Sequence, residues 1–177
     1  MNEYNKSPGI LLGIDFKKAF DFIEWDFIYA VLTKFNFGEI FINMIKTLYK
    51  NISSATSNNG HISQYFSLSR GVRQGDPLYL YIFIIVAEIM AIQIRNNPLI
   101  KGLKFGSNEC KLLQYADDTT AIVADVVSAK IFIECVQIYG EYSGLLINKE
   151  KTMGMWLGSH ANKTEKPLGI IWPDDHI

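Results

Sequence analysis

The chain of 177 residues is 49% hydrophobic and 20% charged, a balance that suits one globular domain and excludes disorder throughout. Seventeen Lys and Arg against eighteen Asp and Glu give a net charge of −1, which excludes a globally basic nucleic-acid binder but leaves room for local basic patches. Cys110 and Cys135 sit in no CxxC or Cys/His cluster, so zinc-ligand spacing is not legible and nothing demands a disulfide framework. The opening MNEYNKSPG lacks the charged-then-apolar order of a signal peptide. The expectation is an intracellular protein, in nucleus or cytoplasm.

In chain order, residues 1–9 read as an extension. Ile10 to Phe16 is a short apolar run that reads as a buried strand. Trp25 to Phe35 carries Trp25, Ile28, Tyr29, Leu32 and Phe35 at helical spacing, and Gly38 follows. Glu39 to Tyr49 repeats the pattern with Phe41, Ile42, Ile45 and Leu48. Ser53 to Ser69 reads as a hairpin around Asn58-Asn59-Gly60. Gly71 to Pro77 is a loop. Leu78 to Ile94 is apolar but interrupted by Glu88 and Gln93 and short for a bilayer span, so it reads as a buried helix, with no membrane implied. Leu112 to Tyr115 and Thr119 to Ala124 are β-prone, with Ala116-Asp117-Asp118 as an acidic tip between them. Ser128 is the expected cap of a helix ending near Gly144, with Ile131, Val136 and Tyr139 facing inward. Lys151 to Leu157 is a last strand, and residues 159–177 form a tail. His61, His160 and His176 read as isolated surface or loop residues. The fold class is α+β: a βαββαβ-like antiparallel sheet with helices on one face.

That topology would bring Asp15 beside the hairpin tip carrying Asp117 and Asp118. Clustered carboxylates repel unless a cation screens them, and hard oxygen donors suit Mg²⁺. On spacing alone, Asp117-Asp118 reads first as an ordinary solvated turn.

Four segments occur in order: LLGIDFKKAFDFIEW (11–25), SRGVRQGDPL (69–78), LLQYADDTTAIV (112–123) and GLLINKEKT (144–152). Together, over residues 10–158, they resemble the palm subdomain of a reverse transcriptase, most like those of non-LTR (LINE-type) retrotransposons. The resemblance implies RNA-directed DNA polymerase chemistry on an RNA template, a DNA primer and deoxynucleoside triphosphates. It implies two Mg²⁺ ions, or Mn²⁺ in their place, held by Asp15, Asp117 and Asp118, which would stabilise the attacking and leaving oxygens. Lys151 matches a general acid towards pyrophosphate. Phe20 matches the ring that packs on the nucleotide sugar and rejects a 2′-hydroxyl, although alone it would read as core. Phe16, Gln74 and Gly75 match nucleotide-contacting positions. Arg70 and Arg73 are phosphate-binding or plain surface charges, and Asp21 reads as structural.

Two departures qualify the match. Tyr79-Leu80 stands where the family has Ser-Pro, so a shifted or weaker helix start is expected. The fingers and thumb of a full polymerase have no counterpart here, so the chain reads as a partial domain. Surface left uncovered around Tyr81, Phe83, Ile84, Tyr65 and Phe66 would drive self-association. A non-catalytic remnant, or a domain that binds RNA or a partner protein, is the alternative.

Overall fold

The central strand β1 (Gly9–Ile14) is apolar at nearly every position because it is flanked on both edges and covered on one face. The computed structural model describes residues 7–72 and 77–173. On one edge β1 pairs antiparallel with β9 (Asp118–Val123), and on the other with β10 (Met153–Leu157). Strand β8 (Leu112–Tyr115) pairs with β9. The sheet order is β10-β1-β9-β8, all antiparallel. With the helices, this is the expected βαββαβ arrangement. Ile10, Leu12 and Ile14 point to the covered face and are buried; Leu11 and Gly13 alternate onto the other.

The covered face packs against α4 (Pro77–Asn96) and α5 (Val126–Ser143). Helix α4 is long and apolar enough to cross a membrane by length and composition. Here Ile82, Phe83, Val86, Ala87, Met90, Ala91 and Ile94 form a buried stripe at three-and-four spacing. That is core-helix behaviour. Helix α5 meets it through Tyr139, whose hydroxyl donates to the Val86 carbonyl at 2.8 Å. Helix α2 (Trp25–Lys34) adds Ile28, Val31 and Leu32 to the same core, and α3 (Glu39–Leu48) adds Ile42 and Ile45.

Several boundaries differ from the sequence reading. Asp118 is a strand residue, so the acidic turn has only two residues, Ala116 and Asp117, with Ala116 at φ 52. The cap of α5 is Asp125, whose carboxylate accepts from the Ser128 N–H at 2.7 Å. Ser128 is buried, and its Oγ accepts from Lys101 N–H instead. Ile131 is only half-buried, while Val136 and Tyr139 are buried. Strand β10 starts at Met153, because 148–152 is a turn. Helix α4 already includes Pro77, so Tyr79 and Leu80 lie in its first turn and no later start is seen.

The Asn-Gly hairpin is present as β3 (Ser57–Asn58) and β4 (His61–Ile62), with Asn59 at φ 47 and Gly60 at φ 81 as a type I′ turn requires. Its stem is a separate pair, β2 (Ser53–Ser54) with β5 (Phe66–Ser67). A four-residue helix α1 (Ala19–Phe22) and a hairpin of β6 (Leu103–Phe105) and β7 (Asn108–Cys110) were not legible in the sequence. Past residue 158 the chain returns to the sheet: Ile171 bridges Met153, and Trp172 lies 4.9 Å from Trp156 between ring centroids. His61 is exposed. His160, by contrast, is half-buried, edge-on to Trp156. His176 lies outside the described residues.

Candidate active site

The β1–β9 register places the acids. Ile14 faces Thr119, so one further step sets Asp15 opposite Asp118. Directly opposed residues of an antiparallel pair are about 5 Å apart at Cα. Pleating puts Asp15 and Asp118 on the uncovered face, in line with Gly13 and Thr120. Asp117 follows Ala116 in the two-residue turn. Ala116 at φ 52 is in the left-handed region that L-residues with a Cβ seldom adopt, and this lets the hairpin reverse in so few residues. Asp15 and Asp117 are half-buried and Asp118 is exposed. Among the described residues no three His, Cys, Asp or Glu side chains converge into a metal-holding group. As a donor set, three carboxylates at one end of the sheet are hard oxygen ligands of the kind Mg²⁺ takes, with open sides for water and substrate oxygens.

The end of β1 is clasped by residues 146–152. Phe16 bridges Ile147, and the Lys17 N–H donates to the Leu146 carbonyl at 2.8 Å. The Asn148 N–H donates to the Asp15 carbonyl at 2.8 Å, while the Asp15 N–H donates to Thr152 Oγ1 at 3.2 Å. Lys151 is exposed on this turn, with its N–H donated to the Asn148 carbonyl. The ladder therefore carries Lys151 on the same turn that holds the backbone of Asp15. Lys17, Lys18 and Lys149 are also exposed on the two joined segments. With Glu150 exposed between Lys149 and Lys151, these segments carry four lysines against one glutamate beside the acids, a local excess of positive charge in a chain of net charge −1. The pair KK directly after Asp15-Phe16 was the available signal for it. Asn148 and Thr152 gave none.

Phe16 is a core residue at 9% exposure, so its ring is committed to packing. A nucleotide would meet its backbone and not its side chain. Phe20 is half-buried, with its ring 4.6 Å from that of Phe83 and edge-on to Tyr79 at 5.3 Å. Tyr79, the departure from the family pattern, is thus one wall of Phe20's surroundings. Phe83, expected on the surface, is buried.

Arg70 pairs with Glu24 at 3.4 Å and lies 4.4 Å over the Phe22 ring, so its charge is already engaged. Next to it, Gly71 crosses α1 at close range. Its N–H donates to the Ile23 carbonyl at 2.7 Å, its carbonyl accepts from Trp25 Nε1 at 2.7 Å, and the Val72 N–H donates to the Phe20 carbonyl at 2.8 Å. The first and second motifs are thereby tied together. Arg73, Gln74 and Gly75 lie outside the described residues.

A cavity of about 540 Å³ opens elsewhere, beside Glu24, Trp25, Asp26 and Tyr29, and includes none of the three acids. The acids lie at the ends of the two interior strands, outside that cavity, which fits a large substrate better than an enclosed small one.

The family model for reverse transcriptase (RNA-dependent DNA polymerase) matches residues 2–171. The chain is 29% identical over 148 residues to the transposon TX1 uncharacterized 149 kDa protein of Xenopus laevis, covering 84% of this chain and 11% of that protein. It is 25% identical over 141 residues to the retrovirus-related Pol polyprotein from type-2 retrotransposable element R2DM of Drosophila melanogaster, covering 80% and 13%. To that from type-1 retrotransposable element R2 of Popillia japonica it is 24% identical over 146 residues, covering 82% and 20%. The chain spans a fifth or less of these relatives.

Among solved structures, apo telomerase from Candida tropicalis truncated from its C-terminal domain superposes with a TM-score of 0.64 at 15% identity, over 87% of this chain and 32% of that one. Telomerase from the same organism in complex with a TWJ fragment of telomeric RNA gives 0.65 at 14% identity, over 88% and 27%. At that identity the likeness is one of fold. The retrotransposon relatives agree with the non-LTR type that the sequence motifs resemble. Over nearly all its length, the chain belongs to the reverse transcriptase (RNA-dependent DNA polymerase) family.

Proposed function

We propose that this chain is the catalytic palm portion of an RNA-directed DNA polymerase, which extends a DNA primer on an RNA template from deoxynucleoside triphosphates. The observation that supports the reading is the sheet register, which ends at Ile14 opposite Thr119 and so leaves Asp15 and Asp118 as neighbours at one end of two adjacent strands, with Asp117 in the adjoining turn. Reverse transcriptases generally use divalent metal ions. Asp15, Asp117 and Asp118 are the residues that would hold Mg²⁺ or Mn²⁺. Such ions, when bound, stabilise charge on the attacking and leaving oxygens of a phosphoryl transfer.

The chain's own residues supply position and charge. Lys151, exposed on the turn hung from Asp15, would give a proton to departing pyrophosphate. Lys17, Lys18 and Lys149 add positive charge where polyphosphate would lie. Phe20, braced by Phe83 and Tyr79, would restrict the sugar pocket to deoxynucleotides. Gly13 lowers the floor beside the acids: a Cβ there would meet no atom closer than the Met153 carbonyl at 4.0 Å. Protein packing therefore does not demand this glycine, while close approach of a ligand would.

The test is primer extension on an RNA template by the folded chain with Mg²⁺ or Mn²⁺, with template-primer binding measured alongside. Asp15→Asn and Asp117→Asn should each lower extension by about 100-fold or more while leaving binding largely intact. Binding without extension would favour the alternative, a non-catalytic RNA-binding domain. Folded protein that neither binds nor extends would refute the reading for this chain.

A further inference from the structure

We propose that Thr152 is a positioning residue for Asp15, fixing the carboxylate's backbone in the place where a divalent cation would be held. The inference rests on the reading of Asp15 as a metal ligand. Three hydrogen bonds close a ring around Asp15. Its N–H donates to Thr152 Oγ1 at 3.2 Å, Thr152 Oγ1 donates to the Asn148 carbonyl at 2.9 Å, and the Asn148 N–H donates to the Asp15 carbonyl at 2.8 Å. Thr152 is fully buried, so water cannot replace its hydroxyl.

The arrangement is specific to a hydroxyl. Oγ1 must accept from Asp15 and donate to Asn148 at once, which a Ser or Thr does and an isosteric Val does not. The Asn148 carbonyl also accepts from the Lys151 and Thr152 N–H groups at 3.1 and 2.9 Å, so removing the hydroxyl does not orphan it. The group left without this partner is the N–H of Asp15 itself. A residue one position beyond Ile14, the last strand residue, would be ordinary loop; here residue 15 is pinned on both its N–H and its carbonyl side. Partners that bond a ligating side chain directly are worth about 10- to 100-fold in metal affinity; Thr152 bonds the backbone of the ligating residue instead, so the lower end of that range is expected. The same ring fixes the turn that carries Lys151, so one side chain sets the spacing between the acids and that lysine.

The experiment is Mn²⁺ binding to the full chain, followed by electron paramagnetic resonance, with urea unfolding on the same samples. Wild type should bind Mn²⁺ in a way that Asp15→Asn abolishes. Thr152→Val should lower the affinity of the folded protein about tenfold, and Thr152→Ser should keep it within about twofold. Thr152→Val that loses stability but binds Mn²⁺ as wild type does would overturn the proposal and leave Thr152 a packing residue. Should Thr152→Val not fold, Thr152→Ser decides: loss of affinity despite the retained hydroxyl overturns it equally. Wild type without any Asp15-dependent binding would remove the metal-ligand reading itself, a result distinct from the other two.

Discussion

Gly71 is where the first and second motifs touch backbone to backbone, and its replacement by Ala has a cost that the structure divides into two parts. The first is conformational. Gly71 has φ +87, where an L-residue with a Cβ is strained by about 1–2 kcal/mol. The second is steric. A Cβ would lie 2.7 Å from the Asp21 carbonyl oxygen and 3.1 Å from its carbon and Cα, all of them backbone atoms that cannot swing aside. The segments must separate, which strains three hydrogen bonds: Gly71 to Ile23, Val72 to Phe20 and Trp25 to Gly71. Losing two at about 1 kcal/mol each adds about 2 kcal/mol.

Gly60 supplies the control, since it has φ +81 but nothing within 4 Å of a Cβ. Gly60→Ala should therefore show the conformational part alone, and Gly71→Ala about 2 kcal/mol more. With a urea m-value of about 1–3 kcal/mol/M, the gap is a midpoint difference on the order of 1 M. Equal midpoints for the two variants would refute the close crossing and, with it, the brace between the motifs.

Other outcomes follow from the same structure. Trp172→Ala should cost about 3–5 kcal/mol in urea unfolding, because the indole is 7% exposed and packed at a tilt against Trp156; a cost under about 1 kcal/mol would show that the chain past residue 158 does not support the sheet. Burial, partly offset by a hydrogen bond from Ser143, holds the Tyr139 phenol well above its ordinary value of 10.0. Below pH 10 folded and unfolded chains both keep that proton and the stability is intact. Above it the unfolded chain ionises first, so stability should fall by up to about 1.4 kcal/mol per pH unit, and Tyr139→Phe should remove that part of the slope. Ile62, Tyr65, Tyr81 and Ile84 are all exposed, so sedimentation should show concentration-dependent self-association that Tyr65→Lys and Tyr81→Lys reduce; a monomer at high concentration would contradict it.

What was legible in the sequence was whatever a local rule controls. Asn59-Gly60 announced its turn because both residues had to take positive φ, and they do. Helices α2 and α3 showed their apolar faces at helical spacing, and β1 and the β8–β9 hairpin showed β-prone runs in the right order. The acid end of the sheet was legible only jointly, through the expected topology and the motifs around it. Contacts made late and across the chain were hidden. Ser128 looks like a cap, yet Asp125 is equally able and sits at the non-helical position, so geometry decides between them. Thr152 is one polar residue in a turn, and nothing local says that its hydroxyl meets residue 15. Trp172 lies in a segment of weak signals, and only the sheet opposite Gly154 gives its ring a place. Phe83 could not be told from Tyr81 and Ile84, because the first half of α4, up to Ala87, is apolar on all sides and its buried stripe carries no contrast there.

The position of β1 has a consequence for how the chain folds. It is the first strand in the sequence and the middle of the sheet, while its partners β9 and β10 come near the far end. Neither of its edges can be satisfied locally, so loop closure over about a hundred residues or more must precede any pairing of β1, although β8 and β9 can pair as a local hairpin. Helices α2 and α3 and the Asn-Gly hairpin can form early from neighbouring residues, whereas the segment Gly-Ile-Leu-Leu-Gly-Ile waits unpaired. High contact order of this kind slows folding and lengthens the time for which an apolar, two-edged strand is open to other chains. Synthesis that stops before β9 therefore yields no partial sheet but a sticky strand, and recovery of soluble protein should depend on folding rate as much as on final stability.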